Sequence, residues 1–145
     1  MQLYVAGFLF SNDHKRVALV EKKKFPPGQD WSENPYNAIG GKIEEGELPG
    51  EAMRREFREE TGVDCADWQC FAQLDAANLA WRVFFFKAFN TLALESVSTV
   101  EEEPIVNVPI GTAGTGLAER KRPNVRWLIP MALDPTHVFA TATSS

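Results

Sequence analysis

Val83-Phe84-Phe85-Phe86, inside the longer run Trp81 to Phe89, restricts the fold of this chain more than any other stretch. Successive side chains of a strand point to opposite faces, so a strand that is apolar on both belongs in the middle of a sheet. Leu3 to Phe10 and Arg16 to Val20 are strand-like as well, and the turn formers Ser11-Asn12-Asp13-His14-Lys15 between them make the pair a hairpin. Trp68 to Leu74 and Pro104 to Ile110 supply further strands, and Tyr36 to Ile39 a short one that Gly40-Gly41 ends in a sharp turn. The segment PGEAMRREFREET, Pro49 to Thr61, is built of helix formers, with proline in the first turn, acids early, and Gly62 placed to stop it. Val125 to Leu133 reads as a second, short helix, and the mixture places the chain in the α/β class.

At 145 residues the chain suits one domain, 1–140, followed by a frayed tail at 141–145. The loop from Lys22-Lys23-Lys24 through Phe25-Pro26-Pro27-Gly28 to Asn34-Pro35 is long enough to suggest a role, and Gly111 to Gly116 reads as a linker or loop. The N-terminus lacks the features of a signal peptide, and no apolar run nears the roughly 20 residues of a membrane helix. Cys65 and Cys70 are too few for a disulfide framework and lack zinc-site spacing, so a reducing cytoplasm is expected. A net charge of -5 argues against broad binding to nucleic acid, although not against a phosphorylated ligand met through recruited cations.

The helix carries Glu56, Glu59 and Glu60 at i, i+3 and i+4, which places three acids on one face. Acids on a helix commonly form a solvated face. Here Glu51, Arg55 and Glu59 make an ordinary i, i+4 ladder on the neighbouring stripe, while Glu56 and Glu60 have no base at i±3 or i±4. Something else should neutralise them, and an oxygen-only carboxylate cluster suits Mg²⁺ or Mn²⁺.

Gly41, Glu47, Arg55-Glu56-Phe57, Glu59-Glu60 and Gly62-Val63 fit the pattern G-x5-E-x7-R-E-U-x-E-E-x-G-U at every spacing. At roughly 6% for each single-residue position, a chance match is on the order of 10⁻⁹ per start site. The pattern resembles the signature box of the Nudix hydrolases, with Phe57 standing where the family more often has an aliphatic residue. The resemblance implies an α/β/α sandwich with a mixed β-sheet and a catalytic loop-helix-loop. It also implies that Glu56, Glu59 and Glu60, with the Gly41 carbonyl, hold divalent metal, and that Glu47 and Arg55 pair to brace the loop against the helix. The run Asn124-Val125-Arg126-Trp127-Leu128 resembles a late segment of small bacterial and phage members, less specifically.

The chemistry so implied is attack of water on a phosphorus of a diphosphate linkage, with Mg²⁺ as cofactor and Mn²⁺ as its substitute. The expected substrate is a small nucleotide, a (d)NTP cleaved to (d)NMP and pyrophosphate. ADP-ribose or another nucleotide sugar is the enzymatic alternative, and a non-catalytic nucleotide-sensing module the alternative from another class. Lys22, Lys23, Lys24 and Lys42 are candidates for phosphate contact, though each also suits solvated surface. His14 and His137 lie in a turn and near the tail, which favours a carboxylate base: Glu56, Glu60, or an extra acid from the run Glu101-Glu102-Glu103, itself equally readable as solvated. Aromatic candidates for the base of the nucleotide are Phe8, Phe10, Trp31, Tyr36, Phe85 and Trp127. Asn37 stands where some relatives bond the base through Asn, and it also suits a strand-end Asn bonding its own backbone. The Phe-rich strand is compatible with core or with the surface of a homodimer.

Overall fold

The computed structural model describes residues 1–111, 121–137 and 139–144. Of the stretch read as a linker, only Gly111 is among them, and the rest lies outside the described residues. The elements run β1 (Gln2–Phe10), β2 (Arg16–Glu21), β3 (Tyr36–Asn37), β4 (Ile39–Lys42), α1 (Pro49–Thr61), β5 (Gln69–Ala76), β6 (Trp81–Phe89), α2 (Thr91–Glu95), β7 (Ile105–Pro109), α3 (Pro123–Leu133) and β8 (Ala140–Ser144).

One mixed sheet takes them in the order β3-β2-β1-β6-β5-β8, with β4 also on β1 and β7 on β2. The Phe-rich strand β6 is central, as its composition requires: it pairs in parallel with β1 from Gln2↔Trp81 to Phe10↔Phe89, and antiparallel with β5. Its alternation feeds two cores. Phe85 joins Phe8, Phe10, Phe71, Val125, Leu128 and Ile129 under α3, whereas Phe86 joins Val5, Leu9, Ala52, Met53, Phe57 and Leu94 under α1 and α2. The result is the expected sandwich of helices on both faces of a mixed sheet.

β1 changes partner along its length, pairing with β4 from Tyr4↔Lys42 to Gly7↔Ile39 and with β2 only at Phe10↔Val17. The sheet forks there, and the fork opens a cleft beside α1. The short strand expected at Tyr36 to Ile39 is therefore two strands, and Gly40-Gly41 does not turn but continues as β4. A Cβ on Gly40 would lie 1.9 Å from the Val5 carbonyl oxygen, and one on Gly41 would lie 2.5 Å from the Glu56 carboxyl carbon. Absence of side-chain volume, rather than backbone freedom, is what these two positions need.

α1 matches the sequence reading. Pro49 opens it, the Glu51 carboxylate accepts the Leu48 N–H at 3.0 Å, and Gly62 closes it at φ 77 with its N–H on the Arg58 carbonyl. The tail expected to fray from residue 141 is instead most of β8, paired in parallel with β5 from Ala72↔Ala140 to Ala76↔Ser144. The edge of β5 presents backbone groups that need partners, and five residues able to extend satisfy them whatever their polarity.

Phe8 and Tyr36, taken from sequence as base contacts, belong to the core, at 0% and 5% exposure. Phe10 is likewise fully buried, its ring 6.0 Å from that of Phe8, which lies 6.2 Å from Phe71. Truncation Phe8→Ala should cost about 3–5 kcal/mol in urea unfolding, and a loss below about 1 kcal/mol would contradict its place in the core.

Candidate active site

Arg55 organises the box. Its Nε and Nη2 donate to the two carboxylate oxygens of Glu47 at 2.7 and 3.0 Å, and Nη2 also reaches the Lys42 carbonyl at 3.0 Å. Nη1 donates to Glu56 at 2.8 Å and to Glu59 at 3.2 Å. The guanidinium thus ties β4, the loop after it and α1 together. Glu47 holds Arg55 protonated, and the same hydrogen bonds keep the Glu47 carboxyl below the usual range. Glu51 takes no part in the expected ladder, since its carboxylate caps the helix instead.

Glu56 lies against Gly41, and burial raises its pKa although Arg55 opposes the shift. Glu60 lines the cleft, and its Oε2 is buried with no hydrogen-bond partner. Its pKa is pushed up to about 8, first by burial and then by the charges of Glu56 and Glu101. Repulsion from the neighbouring acids is therefore second to desolvation. Glu59 turns outward to Arg55, and among the described residues no three Asp, Glu, His or Cys side chains gather as a metal cluster. The acids share a helix face, but Arg55 draws one of them aside.

The cleft measures about 290 Å³. Tyr4, Ala6, Val83 and Phe85 form its apolar floor, Asn37, Gly40, Gly41, Glu60 and Lys22 its polar rim, and Asn124 closes one side. Tyr4 pairs with Val83 and Ala6 with Phe85, so the floor continues the row of Phe8 and Phe10 outward from the cover of the core. Tyr4, Val83 and Asn124 were not singled out from sequence as binding residues, although Asn124 opens the run that resembles a late family segment. Asn37 lines the cleft, and its Oδ1 accepts the Ala38 N–H at 2.9 Å, as a strand-end Asn bonding its own backbone does.

Other candidates fall elsewhere. Lys42 is exposed and does not line the cleft. The lysine run is matched by acids: Lys22 to Glu103 at 2.7 Å, Lys23 to Glu21 at 3.1 Å and Lys24 to Glu102 at 2.8 Å. Only Lys22 of the three lines the cleft. Glu103 also accepts the backbone N–H groups of Lys23 and Lys24, and of its run Glu101 acts on both Glu56 and Glu60 while Glu103 acts more weakly on Glu60. Trp31 lines an adjoining depression, and Trp127 another. His14 sits 4.7 Å from the Phe89 ring and the His137 Nε2 bonds the Phe71 carbonyl, neither of them a lining residue of the cleft.

A model of the NUDIX domain matches residues 1–130. The chain belongs to the Nudix hydrolase family. Solved structures with the same Nudix fold include the Mutator MutT protein from Bacillus halodurans, 20% identical with a TM-score of 0.72 over 100% of this chain and 91% of that one. An ADP-ribose pyrophosphatase from Streptococcus suis is 14% identical with a TM-score of 0.67, covering 97% and 98%. A NUDIX hydrolase from Nitrosomonas europaea is 10% identical with a TM-score of 0.65, covering 99% and 78%. At these identities they share the fold, and no curated protein matches the sequence.

Nudix hydrolases generally use divalent metals, and the donors here suit one. Glu60 brings a buried oxygen without a partner, Glu56 a carboxylate pressed onto a side-chain-free strand, and Gly41 a carbonyl. All are hard oxygen ligands, which suits Mg²⁺ or Mn²⁺ over softer metals. Among the described residues no helix is long and apolar enough to cross a membrane.

A carboxyl that ionises near 4.5 when unfolded and near 8 when folded leaves the unfolded chain with fewer bound protons in between. Stability of the metal-free protein should therefore fall as pH rises from about 5 to 8, the interval set by the Glu60 shift. Thermal melts in EDTA across that range test this, and Glu60→Gln should flatten the slope. An unchanged slope in the variant would remove Glu60 as its source.

Proposed function

We propose that this Nudix hydrolase cleaves, with Mg²⁺ or its substitute Mn²⁺, a nucleoside diphosphate linked to another moiety. Its proposed substrate is a (d)NTP, converted to (d)NMP and pyrophosphate. The observation that carries the reading is the Glu60 carboxylate, held by α1 at the rim of an apolar-floored cleft with one oxygen buried and unbonded. A buried polar atom without a partner costs stability, and a site for a cation and a polyphosphate explains its retention.

When bound, a divalent ion supplies neutralisation of the phosphate oxygens and a lower pKa for the attacking water. In this reading Glu56, Glu60 and the Gly41 carbonyl hold the ion, and Glu59 joins them by exchanging its exposed contact with Arg55. Arg55 and Glu47 do no chemistry; they fix the distance between α1 and β4 on which the ligand set depends. Lys22, anchored by Glu103, adds positive potential at the rim. Two acids are left to accept the proton of the water: Glu60, and Glu101, which among the described residues has no lysine or arginine within ion-pair distance, unlike Glu102 and Glu103. Asn37 is the proposed polar contact to the base. Free thiols at Cys65 and Cys70 support a cytoplasmic setting.

Likeness to the Streptococcus suis ADP-ribose pyrophosphatase makes a nucleotide sugar the second reading. Phosphate or pyrophosphate release from (d)NTPs, ADP-ribose and other nucleotide sugars, each with Mg²⁺, Mn²⁺ or EDTA, separates the two. Turnover of triphosphates that EDTA abolishes is the expected result, and preferred turnover of ADP-ribose would move the assignment. Glu60→Gln should lower turnover about 100-fold or more while the protein stays folded. Near wild-type activity in that variant would exclude Glu60 from the site.

A further inference from the structure

The sheet ends at β7 on one side and at β8 on the other, and the two edges are built differently. The bonds from the Ile110 N–H to the Lys15 carbonyl and from the Glu21 N–H to the Pro104 carbonyl fix which residues of β7 turn to β2. Backbone groups alternate in direction along a strand, so Ile105, Asn107 and Pro109 turn outward. All three are blocked. The Ile105 N–H donates to the Thr99 Oγ1 at 2.9 Å, the Asn107 carbonyl accepts from the Arg16 Nη2 at 2.8 Å, and Pro109 has no N–H. Such devices keep an exposed edge from pairing with another chain.

β8 has none of them. The Ser144 carbonyl accepts the Ala77 N–H at 2.8 Å, so Ser144, Ala142 and Ala140 turn to β5, while Thr141 and Thr143 turn their N–H and C=O groups outward. Among the described residues nothing pairs with those outward groups. The strand, ATATS, carries neither charge nor proline, and the side chains of Thr141 and Thr143 are exposed.

An apolar surface runs beside this open edge. The cleft and the depression at Trp31 share Asn37 and Asn124 and form one groove. A further depression of about 400 Å³ adjoins it through Asn124, between Trp127 of α3 and Ala142, Thr143 and Ser144, and does not reach Glu60 or Lys22. Trp127 is 41% exposed, and Phe139, just before the strand, is exposed as well. Among the described residues no charged side chain lines the depression. The acid that β5 sets opposite Thr143, Asp75, is paired with Arg82 at 2.8 Å.

Charge decides what fits here. The chain carries -5, so a second copy is repelled over most of its surface and can approach only where neither copy presents charge. A two-fold axis also sets each residue near it against its own copy, which a charged edge would not tolerate. An oppositely charged peptide, by contrast, finds nothing along this edge to hold it. We propose that β8 is the interface of a symmetric dimer, its free edge pairing antiparallel with the same edge of a second copy of the chain. With the axis at Ala142, Thr141 of each protomer exchanges backbone hydrogen bonds with the partner's Thr143. Threonine then meets threonine on one face of the extended sheet, a favourable cross-strand pair. On the other face the added strand brings small alanines under the exposed indole of Trp127.

Sedimentation velocity of the full chain across the micromolar range should show monomer converting to dimer and to nothing larger, because a two-fold pair uses up both open edges. Thr141→Pro removes an outward N–H while sparing the bonds to β5, and should raise the dimer Kd about tenfold or more. Thr141→Lys combined with Thr143→Lys sets like charges opposite one another at exposed positions, and should have the same effect without touching the backbone. Thermal melts establish that each variant is folded. Added salt screens the net repulsion between copies and should tighten the dimer. A chain that stays monomeric throughout, a dimer that persists in the folded variants, or one that dissociates as salt rises overturns the proposal. Growth beyond the dimer overturns it too.

Discussion

The site depends on one half-buried guanidinium. Arg55 donates to Glu47, Glu56, Glu59 and the Lys42 carbonyl, joining the end of β4, the loop beyond it and the face of α1. Without that ion, Glu56 and Glu47 would be partly desolvated charges with no compensation, and the helix would have no reason to sit so close to β4. The close approach is what Gly41 permits, since any Cβ there would strike the Glu56 carboxylate. An arginine on the helix and a glycine on the strand are two halves of one constraint, and the box spacing exists to bring them together.

That constraint explains which features were legible in the sequence. α1 could be read with its ends because propensity, proline, early acid and terminal glycine are local and agree with one another. β6 could be placed at the centre because Val83 to Phe86 leaves no face suited to solvent. The Gly40-Gly41 pair was misread because glycine serves two purposes, positive φ and absent volume, and only the neighbouring chain reveals which applies. Phe8 was misread for a similar reason. It shares a row with Tyr4 and Ala6, and what separates a buried ring from a cleft floor along that row is how far α3 extends over it.

Charge pairing was the least legible property. Lys22-Lys23-Lys24 and Glu101-Glu102-Glu103 look like two solvated runs, yet Lys22 pairs with Glu103 and Lys24 with Glu102 between the end of β2 and the loop before β7. Their partnership follows from the pairing of β2 with β7, a contact between segments some 80 residues apart that no local pattern records. Arg122 is harder still, since nothing around it in sequence distinguishes it from a surface arginine. Its place, with the backbone N–H on the Tyr36 carbonyl and the guanidinium stacked on Trp31, is set by segments far away in sequence.

These pairings leave the groove electrically uneven. Where acids and lysines cancel, the acids left at one end of the groove are Glu101, Glu56 with its partner Arg55, and Glu60, which ionises only near pH 8 in the metal-free chain. A bare polyphosphate would be repelled from the first end, so that end is useful only when a cation accompanies the ligand. On the function proposed above, that end therefore takes the phosphates together with their cation, an arrangement that asks for carboxylates there. It also gives a physical reason why the fold tolerates a buried carboxyl that is protonated up to about pH 8 in the metal-free chain. The instability it introduces is the same quantity that a bound cation removes, so metal affinity and metal-free stability are opposed by construction.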